Sequence, residues 1–146
     1  MSAEAASNDP AGRERLDQAR EAVIVAHMGG ESRKDVDEVL ATMPDPTYDL
    51  VTIGRVLRGR REVGRLLQNM FDALGPGEHR PLRIHHSGDD AIVELVVVFP
   101  DGIDGSTPGA ELRVHTVAIF SFDGEALSAE RVYVDPTQLA PLLEGV

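Results

Sequence analysis

The chain has 146 residues, enough for one domain with one core, and it carries 25 acidic against 14 basic side chains for a net charge of −11. That sign opposes a phosphate backbone and excludes nucleic acid as a partner, and the absence of cysteine excludes disulfides, thiol catalysis and cysteine-held zinc. The densest apolar run, Ile92 to Phe99, contains Glu94 and is far short of the ~20 residues a membrane span needs, so no membrane and a cytoplasmic location are expected. Lys34 is the one lysine, and this arginine bias suggests a bacterial genome rich in G and C.

Residues 1–8 are small and polar and read as a loose tail; residues 9–146 read as a single domain. Asp9-Pro10 opens a first helix, because aspartate accepts from free first-turn amides and proline at the first position loses no bond. Leu16, Ala19, Val23 and Ala26 share its buried face, and Gly29-Gly30 is expected to end it. Ser32 with Asp35 resembles a capping box for a second helix with the stripe Val36, Val39, Leu40 and Met43, stopped by Pro44. Thr47 to Ile53 and Val56 to Arg58 are extended in character. A third helix runs from Arg60 to Leu74, its apolar positions Val63, Leu67, Met70, Phe71 and Leu74 on one face.

The period then changes from 3.6 to 2, with strands expected at Pro81 to His86, Ala91 to Phe99, Glu111 to Phe122 and Ala126 to Val134 in an antiparallel meander. Asp123-Gly124 is the expected hairpin turn, and Asp135-Pro136 caps a short terminal helix. The fold class is α+β: a twisted sheet wrapping amphipathic helices leaves a cone that side chains need not fill. Pairing about Asp123-Gly124 sets Thr116, Phe120, Arg131 and Tyr133 on one face, which we take as the pocket face. Tyr48, His27 and Phe71 are expected to close its wall as ligand-binding residues. Both sheet faces are apolar enough to be covered, one by the helices and one by a second subunit, so a homodimer through the sheet is expected.

The residues Asp-Val-Asp-Glu-Val-Leu-Ala-Thr-Met at 35–43, Thr-Tyr-Asp-Leu at 47–50, Ala-Ile-Phe-Ser-Phe-Asp-Gly at 118–124 and Glu-Arg-Val-Tyr-Val-Asp at 130–135, in this order of elements, resemble the SnoaL-like polyketide cyclase branch of the nuclear transport factor 2-like superfamily. The resemblance implies a cone-shaped fold, with three N-terminal helices on a curved, mostly antiparallel sheet and a short C-terminal helix. It also implies a small apolar ligand and acid/base chemistry of an isomerase, dehydratase or cyclase on an apolar carbonyl or polycyclic compound; a non-catalytic binding or assembly module is the alternative. No cofactor is expected. Where cyclase members carry a last-strand aspartate, this chain has Tyr133. A phenol with a pKa near ~10 donates more readily than it accepts, so Tyr133 is expected to polarise a carbonyl with Arg131 beside it.

A rival site lies on the other face, where His115 and Glu130 are diagonal neighbours in the same register. Glu94 is the carboxylate most prone to burial, though Arg83 opposite it offers an ion pair. His85-His86 does not read as a metal site, because adjacent strand residues project to opposite faces, and no metal is expected. Arg55, Arg58, Arg60, Arg61 and Arg65 read as a solvated basic face.

Overall fold

The computed structural model describes residues 9–146, so the expected tail lies outside the described residues. Helix α1 spans Pro10–Ser32, with the Asp9 side chain accepting from Gly12 N at 3.0 Å. It does not stop at Gly29-Gly30. A Cβ on Gly30 would meet Val39 Cγ2 at 3.0 Å and Val39 N at 3.1 Å, so this glycine lets the next helix pack against α1 rather than ending it. The reversal comes later, at Lys34, whose φ of 54° is left-handed. Helix α2 (Val36–Ala41) is capped by Asp35, which accepts from Glu38 N at 3.0 Å, and not by Ser32. Ser32 Oγ instead donates to Met28 O and accepts from His79 N at 3.0 Å, tying the end of α1 to the sheet.

Strand β1 (Thr47–Leu50) leads through a short 3₁₀ turn into β2 (Arg55–Arg58) and helix α3 (Gly59–Ala73), close to the expected bounds. Four strands follow: β3 (Glu78–Ser87), β4 (Asp90–Phe99), β5 (Leu112–Asp123) and β6 (Ala126–Tyr133). The last elements are α4 (Pro136–Leu139), capped by Asp135, and a 3₁₀ turn over Ala140–Leu143. The six strands lie in the order β2-β1-β6-β5-β4-β3, antiparallel except where β1 runs parallel to β6. Three N-terminal helices, a mostly antiparallel sheet and a short terminal helix are the α+β architecture expected from the sequence.

The β5–β6 register departs from expectation in a way that reorganises the site. Its loop residues are Gly124-Glu125, with Asp123 opposite Ala126, and a bulge follows: Phe122 pairs with Leu127, whereas Ser121 pairs with Ala129. Ser128 is the extra residue, its hydroxyl bonded to Ser121 O at 3.0 Å. A single inserted residue moves every later side chain of β6 to the opposite face. Glu130, Val132 and Val134 therefore face the helices beside Thr116, Ala118 and Phe120, and Arg131 and Tyr133 face away from them.

The core lies between the inner sheet face and the helices, centred on Ile24, Leu57, Val63, Leu67, Val93 and Phe120. The loop after β4 closes tightly on the end of α3: Gly75 N donates to Ile103 O at 2.8 Å, and a Cβ on Gly75 would overlap Gly105 N. The terminal segment is held against α3 by Asn69, whose amide donates to the carbonyls of Leu142 and Glu144 at 2.8 and 2.7 Å.

Candidate functional site

A cavity of about 120 Å³ lies between the inner sheet face, α3 and the terminal segment. Leu66, Leu67, Met70 and Leu74 come from α3; Leu95, Val97, Phe99, Val114, Ala118 and Val132 from the sheet; Ile103 from the loop; Leu139 and Leu142 from the terminus. Cavities of ~150 Å³ walled by such residues hold a benzene ring, so this one suits a single small ring. Against this apolar wall the polar lining is confined to Glu31, Tyr48, His79, Thr116, Glu130 and Gln138.

Four of those six residues form one cluster around His27, which is fully buried behind them. Because α1 continues through its glycines, Glu31 stands one turn beyond His27 on the same face, with Oε1 at 3.1 Å from His27 Nε2. Because β1 runs beside β6, Tyr48 is directly across from Glu130, and Phe120 flanks Glu130 on the other side. Tyr48 Oη is 2.9 Å and Glu130 Oε2 3.2 Å from His27 Nε2. His79 enters from β3, its Nε2 at 3.2 Å from Glu31 Oε2. Phe120 packs its ring edge-on to His27 with centroids 5.5 Å apart.

The far side of the imidazole fixes its protonation. Thr42 Oγ1 donates to Val39 O at 2.7 Å, which commits its hydrogen and leaves a lone pair for His27 Nδ1 at 2.8 Å. Nδ1 is therefore a donor, and Nε2, set among two carboxylates and a phenol, is favoured as a donor too. Burial alone would lower the His27 pKa, but Glu130 and Glu31 outweigh it and raise it from 6.5 to about 10. Burial would likewise raise Glu31; the His79 and His27 rings reverse this and hold its carboxyl well below the usual range. His79 is opposed by burial and raised by Glu31. Burial first, then the negative charge of Glu130 and Glu31, pushes the Tyr48 phenol well above 10.0, so it remains protonated.

Glu130 differs from its neighbours. It is 6 % exposed, and its Oε2, though 3.2 Å from His27 Nε2, has no hydrogen-bond partner of good geometry among the protein groups. A buried carboxylate oxygen without a well-directed hydrogen bond is costly, and such groups call for an explanation beyond packing. His27 Nε2 and one oxygen each from Glu31 and Glu130 lie within 4.8 Å of one another, close enough for three ligands of a metal ion. The Tyr48 hydroxyl already bonds that nitrogen, so a cation would have to displace it, whereas a proton on Nε2 satisfies the group as it stands.

Of the residues singled out in the sequence, Tyr48, Thr116 and Phe120 line the cavity, His27 stands behind it, and Phe71 is buried in the core without lining it. Tyr133 and Arg131 do not reach the cavity. The Ser128 bulge turns them outward, where Tyr133 is 41 % exposed and Arg131 lies 3.9 Å from Asp90. The same bulge separates His115 from Glu130: His115 is exposed on the outer face opposite Val96, and Glu130 points inward. Glu94 is not buried. Arg83 is opposite it as expected, but its contact is with His85 Nε2 at 3.0 Å, and hydrogen bonding to His85, then the charge of Arg83, lowers its pKa. His85 and His86 do diverge, His86 reaching Glu21 at 2.8 Å.

Two cluster residues were not singled out from the sequence. Glu31 followed a glycine pair read as a helix end, and His79 preceded the expected start of its strand; the His27, Glu31 spacing of four was the available signal.

Comparison with curated proteins gives no match. Among solved structures, an LEH-like epoxide hydrolase of M. tuberculosis is 23 % identical, with 88 % of this chain and 92 % of that chain covered and a TM-score of 0.64. A protein of ketosteroid isomerase-like fold from Catenulispora acidiphila, in complex with trimethylamine, is 15 % identical over 84 % and 92 % with a TM-score of 0.67. An NTF-2 like protein of unknown function from Burkholderia xenovorans is 18 % identical over 82 % and 85 % with a TM-score of 0.64. At these identities the likeness is one of fold. The SnoaL-like domain model, in turn, matches residues 24–129, the stretch that holds His27, Glu31, Tyr48 and His79 and ends one residue before Glu130, and on this match the chain belongs to the SnoaL-like domain family.

Proposed function

We propose that this protein is an acid/base enzyme, an isomerase or dehydratase, that moves a proton on a small apolar carbonyl compound held in the cavity. The observation that carries this reading is Glu130, a buried carboxylate on the lining of an apolar cavity whose Oε2 makes no well-directed hydrogen bond to a protein group. Glu130 is the base: it takes a proton from the carbon beside the carbonyl. Tyr48 is the electrophilic partner. Its oxygen accepts from His27 Nε2–H, which frees the phenolic hydrogen for the substrate oxygen as that oxygen gains charge. His27, as an imidazolium, offsets the charge of two neighbouring carboxylates and holds Glu31 and Glu130 in place.

A non-catalytic storage pocket would be served by an apolar cavity without facing titratable groups. Here Glu31, His79 and Glu130 share one lining, which favours chemistry over storage. The volume of about 120 Å³ favours one small ring over a polycyclic compound.

The test is proton exchange at carbon. Small cyclic ketones incubated in D₂O with the protein should lose their α-proton NMR signals faster than in buffer, and Glu130→Gln should cut that rate by about 10²-fold or more. Glutamine keeps the side-chain shape but removes a charge paired with His27, so exchange is compared at a temperature where thermal unfolding shows both proteins folded. Exchange that is equally fast in Glu130→Gln removes the carboxylate from the role.

A further inference from the structure

The cavity has a second polar end. Along β5 its wall runs from Phe120 through Ala118 and Thr116 to Val114, and along β6 from Glu130 through Val132. Phe120 is opposite Glu130 and Ala118 opposite Val132, so the two rows lie side by side. Phe120, Ala118 and Glu130 are buried, whereas Thr116, Val114 and Val132 are half-buried, so the foot of the cavity is at Glu130 and its rim at Thr116. Helix α4 begins just beyond Val134 and brings the half-buried Gln138 to the lining at this end. The Asp135 carboxylate fixes the start of that helix, accepting from Thr137 N at 2.9 Å and Thr137 Oγ1 at 2.8 Å. Among the described residues, neither the Thr116 hydroxyl nor the Gln138 side-chain amide hydrogen-bonds to another protein group, so both are free for a ligand. Between the two ends the sheet wall is apolar, formed by Ala118 and Val132.

The spacing of the ends sets the length of what fits. Thr116 is four residues from Phe120 on one strand, roughly 13 Å along it. A hydrogen bond of about 2.8 Å at each end leaves about 7 Å between the two polar atoms of the ligand, close to the span across a six-membered ring substituted at opposite positions. We infer that the substrate is a small ring with a polar group at each end: the reacting carbonyl beside Glu130 and Tyr48, and a neutral hydroxyl or carbonyl oxygen on the opposite ring position, held at the rim by Thr116 and Gln138. The second group is neutral because the charged side chains of the lining, Glu31, His79 and Glu130, all stand at the foot. The inference rests on the acid/base reading for which end of the ring reacts, but not for the rim subsite itself. Thr116 and Gln138 determine specificity: they hold the ring by its far end so that the carbon beside the carbonyl faces Glu130.

Binding of 4-hydroxycyclohexanone and 4-methylcyclohexanone, followed through amide shifts of ¹⁵N-labelled protein, tests this. The two ketones differ by one terminal group of similar size. An apolar rim favours the methyl compound, because a methyl group gains by burial and an unpaired hydroxyl loses. The rim subsite should reverse that order, with the hydroxy compound bound about three- to tenfold more tightly. Thr116→Val and Gln138→Leu should each narrow the preference, and together they should turn it toward the methyl compound. Wild-type protein that binds the two alike, or prefers the methyl compound, overturns the inference, as does a hydroxyl preference that persists in the double variant. Failure of the base assignment reads out separately, as a hydroxy compound that is bound in preference but gains no deuterium beside its carbonyl. If neither ketone shifts an amide at the cavity, the carbonyl reading and this inference fall together.

Discussion

Helix α1 buries two cationic side chains seven residues apart, and they are treated in opposite ways. Arg20, 1 % exposed, is saturated: its guanidinium donates to Gly124 O at 2.9 Å, Gly88 O at 3.1 Å and Asp89 Oδ1 at 3.1 Å, and lies over the Phe122 ring at 5.3 Å. It ties the β3–β4 and β5–β6 turns to one helix and lines neither the cavity beside Glu130 nor the groove between α1 and β3 beside His79. His27, equally buried, is surrounded by two carboxylates and a phenol, one of those carboxylates lining the cavity with an oxygen that makes no well-directed hydrogen bond. A guanidinium with every nitrogen bonded marks a charge used to hold the fold together; an unbonded carboxylate oxygen on a residue that lines a cavity marks one positioned for chemistry. The comparison implies that changes at the first region cost stability and changes at the second cost proton transfer.

The largest stability effect is expected at Arg20. Arg20→Ala leaves two turn carbonyls without their donor and empties a buried volume, and should lower the free energy of unfolding by about 3–5 kcal/mol in urea titration. A loss below about 1 kcal/mol would place Arg20 with the exposed ion pairs and dissolve the contrast.

The His27 cluster should instead show itself through pH. His27 is raised from 6.5 to about 10 in the folded protein, so its contribution to stability is complete below about 6.5 and is lost as pH climbs through about 10. Each unit of difference is worth about 1.4 kcal/mol, so a decline of a few kcal/mol is expected over that window, and His27→Gln should flatten it. His79, also raised, acts in the same direction. Glu31, held low, contributes above its unfolded value of 4.5 and loses that contribution as pH falls through its folded value. Unfolding midpoints that stay level from neutral to alkaline pH would show that no buried imidazolium is present.

The smallest effect is expected outside the cavity. Tyr133→Phe removes a hydroxyl from a half-exposed outer position, and should change stability by less than about 0.5 kcal/mol and leave α-proton exchange untouched. A large loss of exchange in this variant would return the outer sheet face to consideration.

Those outcomes also separate what the sequence makes legible from what it does not. Helix α3 and strands β4 and β5 were readable because apolar periodicity is local: Val63, Leu67 and Phe71 announce a helix face, and Ile92 to Phe99 a buried strand, whatever lies around them. The site depends on three features that periodicity does not carry. Gly29-Gly30 has the composition of a helix end, yet here Gly30 makes room for Val39, and the continued helix brings Glu31 under His27. The Ser128 bulge has no residue signature, but it decides whether Glu130 or Arg131 faces the cavity. The parallel pairing of β1 with β6, between strands some eighty residues apart, sets Tyr48 beside Glu130 and is a property of tertiary packing alone. His27, Tyr48, Thr116 and Phe120 were within reach because they sit on regular elements; Glu31 and His79 were not, because each lies at a boundary.

The central claim is that a protonated imidazole stands among Glu31, Glu130 and Tyr48 at the foot of the cavity. ¹⁵N NMR of the His27 ring tests it most directly. The account predicts two protonated ring nitrogens at neutral pH, with deprotonation only as the pH approaches about 10. A His27 ring that is neutral at pH ~7, the ordinary state of a histidine with an unperturbed pKa of ~6.5, would contradict it.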